Sequence, residues 1–269
     1  MPHRIIDTHV HTDNSPDGHH SAMYMCECAD MAGLRAIAFT DHVETDAYRR
    51  DHYDRAALQS FIDVSKARSA FCGKLLVCTG IELGQPMHDV STAEKIITDL
   101  PYDFVIASVH NFKDEKDFMY LDYSELDVTD VLNRYFDELI KLARWAKFDS
   151  LAHLTYPLRY IVGDHKIEVD MDKFSDKIDE ILTLLVQNGK ALEINTSGLR
   201  KELRRTMPEE NVVRRFRLLG GEMVTVGSDS HDAKDIGAGV SEGMEIAKRS
   251  GFDSVTLFQN RTPVQIPIE

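Results

Sequence analysis

The chain has 269 residues, a formal net charge of −14 and a pI near 5.3. With 43% hydrophobic residues, it is long enough to bury the core of one large α/β domain or of two smaller ones. The acidic balance argues against a nucleic-acid or anionic-membrane binder, and no segment approaches the roughly 20 apolar residues of a membrane span. The N-terminal segment lacks the plan of a signal peptide, so we expect a cytoplasmic protein.

Short apolar runs that predict strands alternate with longer stretches of helical periodicity along the chain. The predicted strands are 4–9, 35–41, 75–82, 103–109, 150–154, 190–196 and 222–228. The predicted helices are 21–32, 54–72, 91–99, 127–147, 170–188, 208–219 and 236–249. A last run, 254–260, is a candidate for one further short strand.

This alternation predicts βαβ units around a parallel sheet whose two faces are covered. Seven or eight consecutive units favour a closed barrel, although periodicity alone leaves a doubly wound open sheet as an alternative. No low-complexity linker interrupts the series. We therefore expect a single α/β domain over 1–269, with the ligand-bearing core in 4–231.

Side chains that bind metals follow almost every predicted strand. His9 and His11 point to the same side of the first strand, because positions i and i+2 share a face. The later motifs "FTDH", "GIE", "SVH", "LAH" and "GSDSH" supply His42, Glu82, His110, His153, Asp229 and His231. Six of the seven predicted strands thus place a His, Asp or Glu at the same end. In a parallel barrel those ends surround one mouth.

A purely structural role could explain any one of these residues, such as a hydrogen-bonded core histidine at His153. It does not explain the whole set, because buried carboxylates and imidazoles without partners cost several kcal/mol. Mixed imidazole and carboxylate ligands suit zinc, manganese or iron. The set is too large for one four-coordinate ion, so we expect two to three divalent ions with Glu82 bridging two of them. Asp17 could complete a third site, with His19 and His20 as alternatives.

The motifs "DTHVHT", "FTDH", "GIE", "SVH", "AH" and "GSDSH", in this order across residues 7–231, resemble those of the PHP (polymerase and histidinol phosphatase) superfamily. The resemblance implies a distorted (β/α)7 TIM-like barrel with up to three divalent ions. It implies a first site formed by His9, His11, Glu82 and Asp229. A second site would share Glu82 and add His110 and His153, and a third would use Asp17, His42 and His231. Many members of the superfamily have a histidine at the position of Asp17, where this chain departs from the pattern.

Within the superfamily the chain is most similar to histidinol-phosphate phosphatases, in its length and in the segments "ALEINTSGLRKE" and "HLTYPLRYI". This resemblance implies hydrolysis of L-histidinol phosphate in histidine biosynthesis. Arg200 and Arg159 would bind the phosphate, since a guanidinium matches phosphate oxygens bidentately. Asp229 or His231 would protonate the leaving alkoxide. The acid-rich segment 113–125, "KDEKDFMYLDYSE", is a candidate for binding the substrate ammonium.

Three other functions stay open. The first is hydrolysis of another small phosphate ester, such as a nucleotide or sugar phosphate. The second, an amidohydrolase-like barrel that cleaves C–N bonds, requires a lysine on the fourth strand, where this chain has His110. The third, an accessory to a polymerase, predicts appended domains or lost ligands, and this sequence shows neither. We expect a small anionic substrate, because three divalent ions against three ligand carboxylates leave a local charge of about +3.

Overall fold

A nearly closed barrel of parallel strands is built from residues 5–268, which are the residues that the computed structural model describes. Residues 1–4 and 269 of the predicted domain, including position 4 of the first predicted strand, lie outside them. The strands are β1 (Ile6–Val10), β2 (Ala36–Phe39), β3 (His42–Glu44), β4 (Leu76–Gly84), β5 (Phe104–Ser108), β6 (Ser150–Leu151), β7 (Ala191–Asn195), β8 (Val224–Gly227), β9 (Ser254–Gln259) and β10 (Thr262–Pro267). The helices are α1 (Ala22–Met31), α2 (Tyr53–Ala70), α3 (Val90–Asp99), α4 (Val128–Trp145), α5 (Ser175–Gln187), α6 (Ser197–Arg200), α7 (Glu210–Leu218) and α8 (Val240–Arg249).

The barrel strands are hydrogen-bonded in the order β1-β2-β4-β5-β6-β7-β8, and every ladder between them is parallel. After a break of two residues β3 continues the path of β2 along β4, and it places His42 opposite Glu82. The ends of the sheet meet where the His11 amide donates to the Ser230 carbonyl and the Asp229 amide donates to the His9 carbonyl, each at 2.8 Å. The predicted (β/α)7 TIM-like barrel is therefore confirmed, and the open doubly wound sheet is excluded.

The outer helices bury one face against the strands, as α4 illustrates. Its buried side chains recur at intervals of three and four residues, from Val131 and Leu132 to Leu142 and Ala143. The helix begins where the Asp127 carboxylate accepts hydrogen bonds from two first-turn amides. None of the helices that the structure describes is long and apolar enough to cross a bilayer.

Several predicted boundaries were wrong for identifiable reasons. The strand predicted at 150–154 has two residues, so His153 lies in the turn that follows it. The helix predicted at 236–249 begins at Val240, because Gly237 and Gly239 have φ of 69° and 76°, outside the right-handed helical region. The candidate strand at 254–260 is confirmed as β9, but it pairs antiparallel with β10 and does not join the barrel.

The β9–β10 hairpin covers the amino-terminal end of the barrel. Phe258 stacks on Phe104 with ring centroids 5.3 Å apart. At the hairpin turn the Asn260 amide donates to the Asp103 carboxylate at 2.9 Å. Arg261 donates a hydrogen bond to the Asp149 carboxylate, which is buried and also accepts from the Val105 amide. Two buried carboxylates just before β5 and β6 thus anchor the hairpin.

We expect Arg261→Ala to lower the free energy of unfolding by about 1–3 kcal/mol, because it leaves the buried Asp149 carboxylate without its cation. Urea denaturation measures this. Arg50→Ala is the matched control, since the Arg50 side chain is 72% exposed and pairs with its neighbour Asp51. The control should change stability by less than about 0.5 kcal/mol. Equal losses in the two variants would contradict the anchoring role.

Candidate metal centre

The carboxyl ends of the barrel strands surround a cavity of about 1360 Å³. Its wall includes seven of the nine predicted metal ligands: Asp17, His42, Glu82, His110, His153, Asp229 and His231. The other two are His9, on β1, and His11, just after that strand. Both are completely buried beneath the cavity. The structure therefore brings all nine predicted residues to one end of the barrel.

Glu82 lies at the middle of this group, near the end of β4, and is 1% exposed. Imidazoles surround both of its oxygens. Oε1 is 2.9 Å from His153 Nε2 and 3.0 Å from His110 Nε2. Oε2 is 3.0 Å from His42 Nδ1, 3.3 Å from His9 Nε2 and 3.5 Å from His11 Nε2. Burial opposes ionisation of Glu82, but the adjacent His110, His9 and His42 rings outweigh it and hold its pKa well below the usual value.

The first predicted site has donor atoms at the spacing that one ion requires. Asp229 Oδ1 is 3.6 Å from His11 Nε2 and 4.0 Å from His9 Nε2. Both of these ring nitrogens are buried and meet no hydrogen-bond partner among residues 5–268. Two ligands that are each about 2.1 Å from a tetrahedral ion lie about 3.4 Å apart. The distances and the unpaired nitrogens therefore fit a metal ion.

The residues of the third predicted site also converge. His42 Nε2 is 3.6 Å from Asp17 Oδ1 and 3.4 Å from His231 Nε2, and His231 Nε2 is 3.3 Å from Asp17 Oδ2. Asp17 is 63% exposed, so this corner of the group is open to solvent. Of the two alternatives, His20 faces Asp232 at 3.4 Å, while His19 lines the cavity.

In three of the imidazoles, Nδ1 contacts a side chain that is not among the predicted ligands. His9 Nδ1 is 2.6 Å from Glu193 Oε1, and His110 Nδ1 is 3.1 Å from Glu44 Oε1. His11 Nδ1 is 3.2 Å from Ser15 Oγ. Such partners fix which ring nitrogen faces the cavity. Glu44 could have been predicted, because it follows His42 at i+2 on the same strand.

The imidazoles carry opposite pKa shifts. Burial disfavours protonation of His42, but Glu82 outweighs it and raises the pKa to about 9. The same balance, with Glu193 and Glu82 as the anions, raises the pKa of His9 well above its usual value. Burial and the neighbouring His231 and His42 rings lower the pKa of His11. The buried carboxylates thus attract positive charge to this group of rings, and a bound cation would supply the same charge.

The two predicted phosphate-binding arginines lie at the cavity wall, next to Asp229. Arg159 donates to Asp229 Oδ2 at 2.8 Å and to the Ser197 hydroxyl. Its Nε is buried and has no hydrogen-bond partner within the described residues. Arg200 donates to the carbonyls of Ser228 and Asp229 at 2.6 and 2.8 Å. Arg200 therefore holds the segment that carries Asp229. Its Nε is likewise buried without a hydrogen-bond partner within the described residues, and it lies 3.5 Å from Asp235 Oδ2.

Comparison with known proteins agrees with this geometry. Residues 7–197 match the PHP domain family. The chain is similar to the probable histidinol-phosphatase of Thermotoga maritima, with 28% identity and coverage of 94% of this chain and 95% of that relative. It is 26% identical to the histidinol-phosphatase of Lactococcus lactis subsp. lactis, with 94% of each chain covered. A solved structure of histidinol phosphate phosphatase from Lactococcus lactis, complexed with zinc, L-histidinol and phosphate, has the same fold, with a TM-score of 0.83, 24% identity and coverage of 97% and 99%. Because the match to the PHP domain family spans more than half of its length, this chain belongs to that family.

Proposed function

We propose that this protein is a metal-dependent phosphomonoesterase that hydrolyses L-histidinol phosphate to L-histidinol and phosphate, a step of histidine biosynthesis. The observation that carries the proposal is the convergence of six imidazoles and the carboxylates of Asp17, Glu82 and Asp229 on one cavity. Relatives that share almost the whole chain are named histidinol-phosphatases. One solved relative is described with zinc, L-histidinol and phosphate.

We propose two to three divalent ions, of zinc, manganese or iron, in three sites. The first uses His9, His11, Glu82 and Asp229, the second Glu82, His110 and His153, and the third Asp17, His42 and His231. The position of Glu82 supports its role as a ligand shared by the first and second sites, because its two carboxylate oxygens face different imidazoles. Ions held by these residues would lower the pKa of bound water from about 15.7 toward about 7 and would neutralise phosphoryl charge.

The arginines at the cavity wall support binding of a phosphate ester. Arg159 can offer its unpaired Nε–H to a phosphate oxygen while its Nη2 stays on Asp229. Arg200 also lies on the cavity wall, and it holds the segment that carries Asp229 through the carbonyls of Ser228 and Asp229. We propose that Arg159 contacts the phosphate and that Arg200 contributes to its binding through this segment and through its own charge.

The two proposed proton donors for the leaving alkoxide, Asp229 and His231, both have lowered pKa values, and burial is the main cause for His231. Burial favours a protonated Asp229, but Arg159 and His9 outweigh it and hold its pKa well below the usual value. Asp229 is therefore ionised at neutral pH. His231 Nδ1 is 3.1 Å from the Asp229 carbonyl, which leaves Nε2 facing the cavity. A ligand role and a proton-donor role compete for this one nitrogen.

Acidic side chains also line the cavity, which suits the ammonium of histidinol phosphate. Asp114, Glu115 and Asp117 from segment 113–125 lie on its wall, beside the exposed Tyr120. Burial raises the pKa of Asp117. This segment follows β5 and shares the cavity wall with the predicted metal ligands. We propose that it binds the part of the substrate that carries the amine.

We also propose that the family domain extends over 1–269 as one unit and that the protein is cytoplasmic. The helices and strands of the described residues pack around one barrel, and the β9–β10 hairpin closes its amino-terminal end. A biosynthetic role on a small metabolite agrees with both proposals.

Glu82→Ala should lose more metal than a single histidine variant, because its carboxylate serves two sites. We expect elemental analysis to show the loss of about two ions per chain in Glu82→Ala and of about one in His153→Ala. Glu94→Ala is the control, since Glu94 pairs with Lys147 at the surface and should keep the full metal content. Full metal content in Glu82→Ala would refute the bridge.

Arg159→Ala should raise the KM for phosphomonoesters by about 10–100-fold, because a hydrogen bond to a charged group contributes about 1.5–3 kcal/mol. Steady-state kinetics with p-nitrophenyl phosphate, together with metal analysis, tests this. The exposed Arg204→Ala is the control and should leave the KM unchanged. An unchanged KM in Arg159→Ala would contradict a role for Arg159 in phosphate binding.

A phosphate-release screen with zinc, manganese and iron tests the substrate. We expect the highest kcat/KM for L-histidinol phosphate, because sugar phosphates lack the ammonium that the acidic wall would bind. Amides and cyclic imides should not be cleaved. Faster hydrolysis of a nucleotide or sugar phosphate would favour the alternative phosphoesterase function and leave the metal sites unaffected.

A further inference from the structure

We propose that Glu193, on β7, is a positioning residue that fixes one ligand in each of the first two metal sites; this inference rests on the proposed metal-dependent function. Its side chain is completely buried. Oε1 is 2.6 Å from His9 Nδ1, and Oε2 accepts a hydrogen bond from the His153 amide at 2.7 Å. Asn195 Nδ2 also donates to Oε2, at 3.2 Å.

The contact with His9 determines how that ring binds. A carboxylate accepts hydrogen bonds and donates none, so His9 Nδ1 must carry the proton. With a metal ion in the first site, Nε2 would present its lone pair toward the ion beside Glu82 and Asp229. In the described residues this nitrogen has no hydrogen-bond partner. An isolated neutral imidazole has two tautomers, and Glu193 selects the one that suits the first site.

A glycine on the neighbouring strand gives independent support. Gly227, at the end of β8, packs directly against the pair of side chains. A Cβ atom at this position would lie 2.3 Å from His9 Cβ and 2.7 Å from Glu193 Oε1. Glycine in a buried strand weakens it, so its presence here is explained by the space that the His9–Glu193 pair needs.

The contact with His153 extends the effect to the second site. Because β6 ends at Leu151, the His153 backbone has left the regular ladder. The Glu193 carboxylate accepts a hydrogen bond from the His153 amide and so holds the turn that follows β6. In this position His153 Nε2 lies 2.9 Å from Glu82 Oε1. One carboxylate therefore connects the ring of a first-site ligand to the backbone of a second-site ligand.

The geometry also separates this role from substrate binding. Glu193 is 0% exposed and is absent from the cavity wall that the described residues form. It therefore reaches the chemistry through His9 and His153. Removing it should weaken metal binding more than it changes phosphate binding.

Glu193→Gln tests the inference, because an amide offers one acceptor oxygen and cannot accept from both His9 and His153. We expect zinc affinity, measured on the metal-free protein by competition with a chromophoric chelator, to fall about 10–100-fold. The KM for p-nitrophenyl phosphate at saturating zinc should stay within about threefold of the wild-type value. Asp103→Asn is the matched control: it removes a buried carboxylate at the opposite end of the barrel. It should lower the melting temperature and leave zinc affinity unchanged.

A measurement on the wild-type protein covers the case in which Glu193→Gln does not fold. In the zinc-loaded protein, ¹⁵N NMR of labelled histidine should show His9 protonated at Nδ1 and metallated at Nε2. Zinc on Nδ1 of His9 would overturn the inference. So would zinc affinity in folded Glu193→Gln equal to that of Asp103→Asn.

The failure of this inference differs from the failure of the proposed function. If the wild-type protein binds zinc and Glu193→Gln binds it equally well, the positioning role falls and the metal-dependent function stands. If the wild-type protein binds neither zinc nor manganese, both fall. If it binds metal but does not hydrolyse histidinol phosphate, the substrate assignment falls and the positioning role can still be measured.

Discussion

The burial of one carboxylate, Glu82, constrains the whole mouth of the barrel. An ionised carboxylate away from water is costly unless positive or hydrogen-bonding groups surround it. Here the partners are imidazoles from β1, from β3 and from the segments after β5 and β6. These elements meet only when the sheet curves into a barrel. Closure of the fold and assembly of the site are therefore the same event.

The strand geometry places a second layer of carboxylates, Glu44 and Glu193, around the imidazoles. Glu44 and Glu193 hold His110 and His9 through their Nδ1 atoms, and each lies against a glycine of the adjacent strand. A Cβ atom at Gly84 would lie 1.9 Å from the Glu44 carboxylate, just as one at Gly227 would collide with His9. The small residues make room for the polar layer, and that layer fixes the orientation of the rings.

The barrel and the nine candidate ligands could be predicted from the sequence because both depend on strong local signals. Apolar runs alternate with helical stretches, and His, Asp and Glu follow the runs at fixed positions. The roles of Glu193 and Arg200 could not be predicted in this way. Glu193 is a lone charged residue in the apolar run "ALEIN", and its partner His9 is 184 positions away. Arg200 was expected at the phosphate, but its contacts with the Ser228 and Asp229 carbonyls depend on how two loops pack. The hairpin partner β10 was missed because its alternating polar sequence lacks an apolar run.

The buried Glu82 at the mouth is neutralised differently from the buried carboxylates at the amino-terminal end, and the difference supports a cation beside Glu82. At the amino-terminal end, Asp103 pairs with Arg68 and Asp149 pairs with Arg261. These guanidinium groups keep their charge at any physiological pH. At the mouth, the partners of Glu82 within residues 5–268 are imidazoles, which are neutral when they act as metal ligands. Asp229, which also lies at the mouth, pairs with Arg159, but the charge of Glu82 is left to be balanced by protons or by divalent ions. Only the ions also supply the chemistry that phosphate-ester hydrolysis needs.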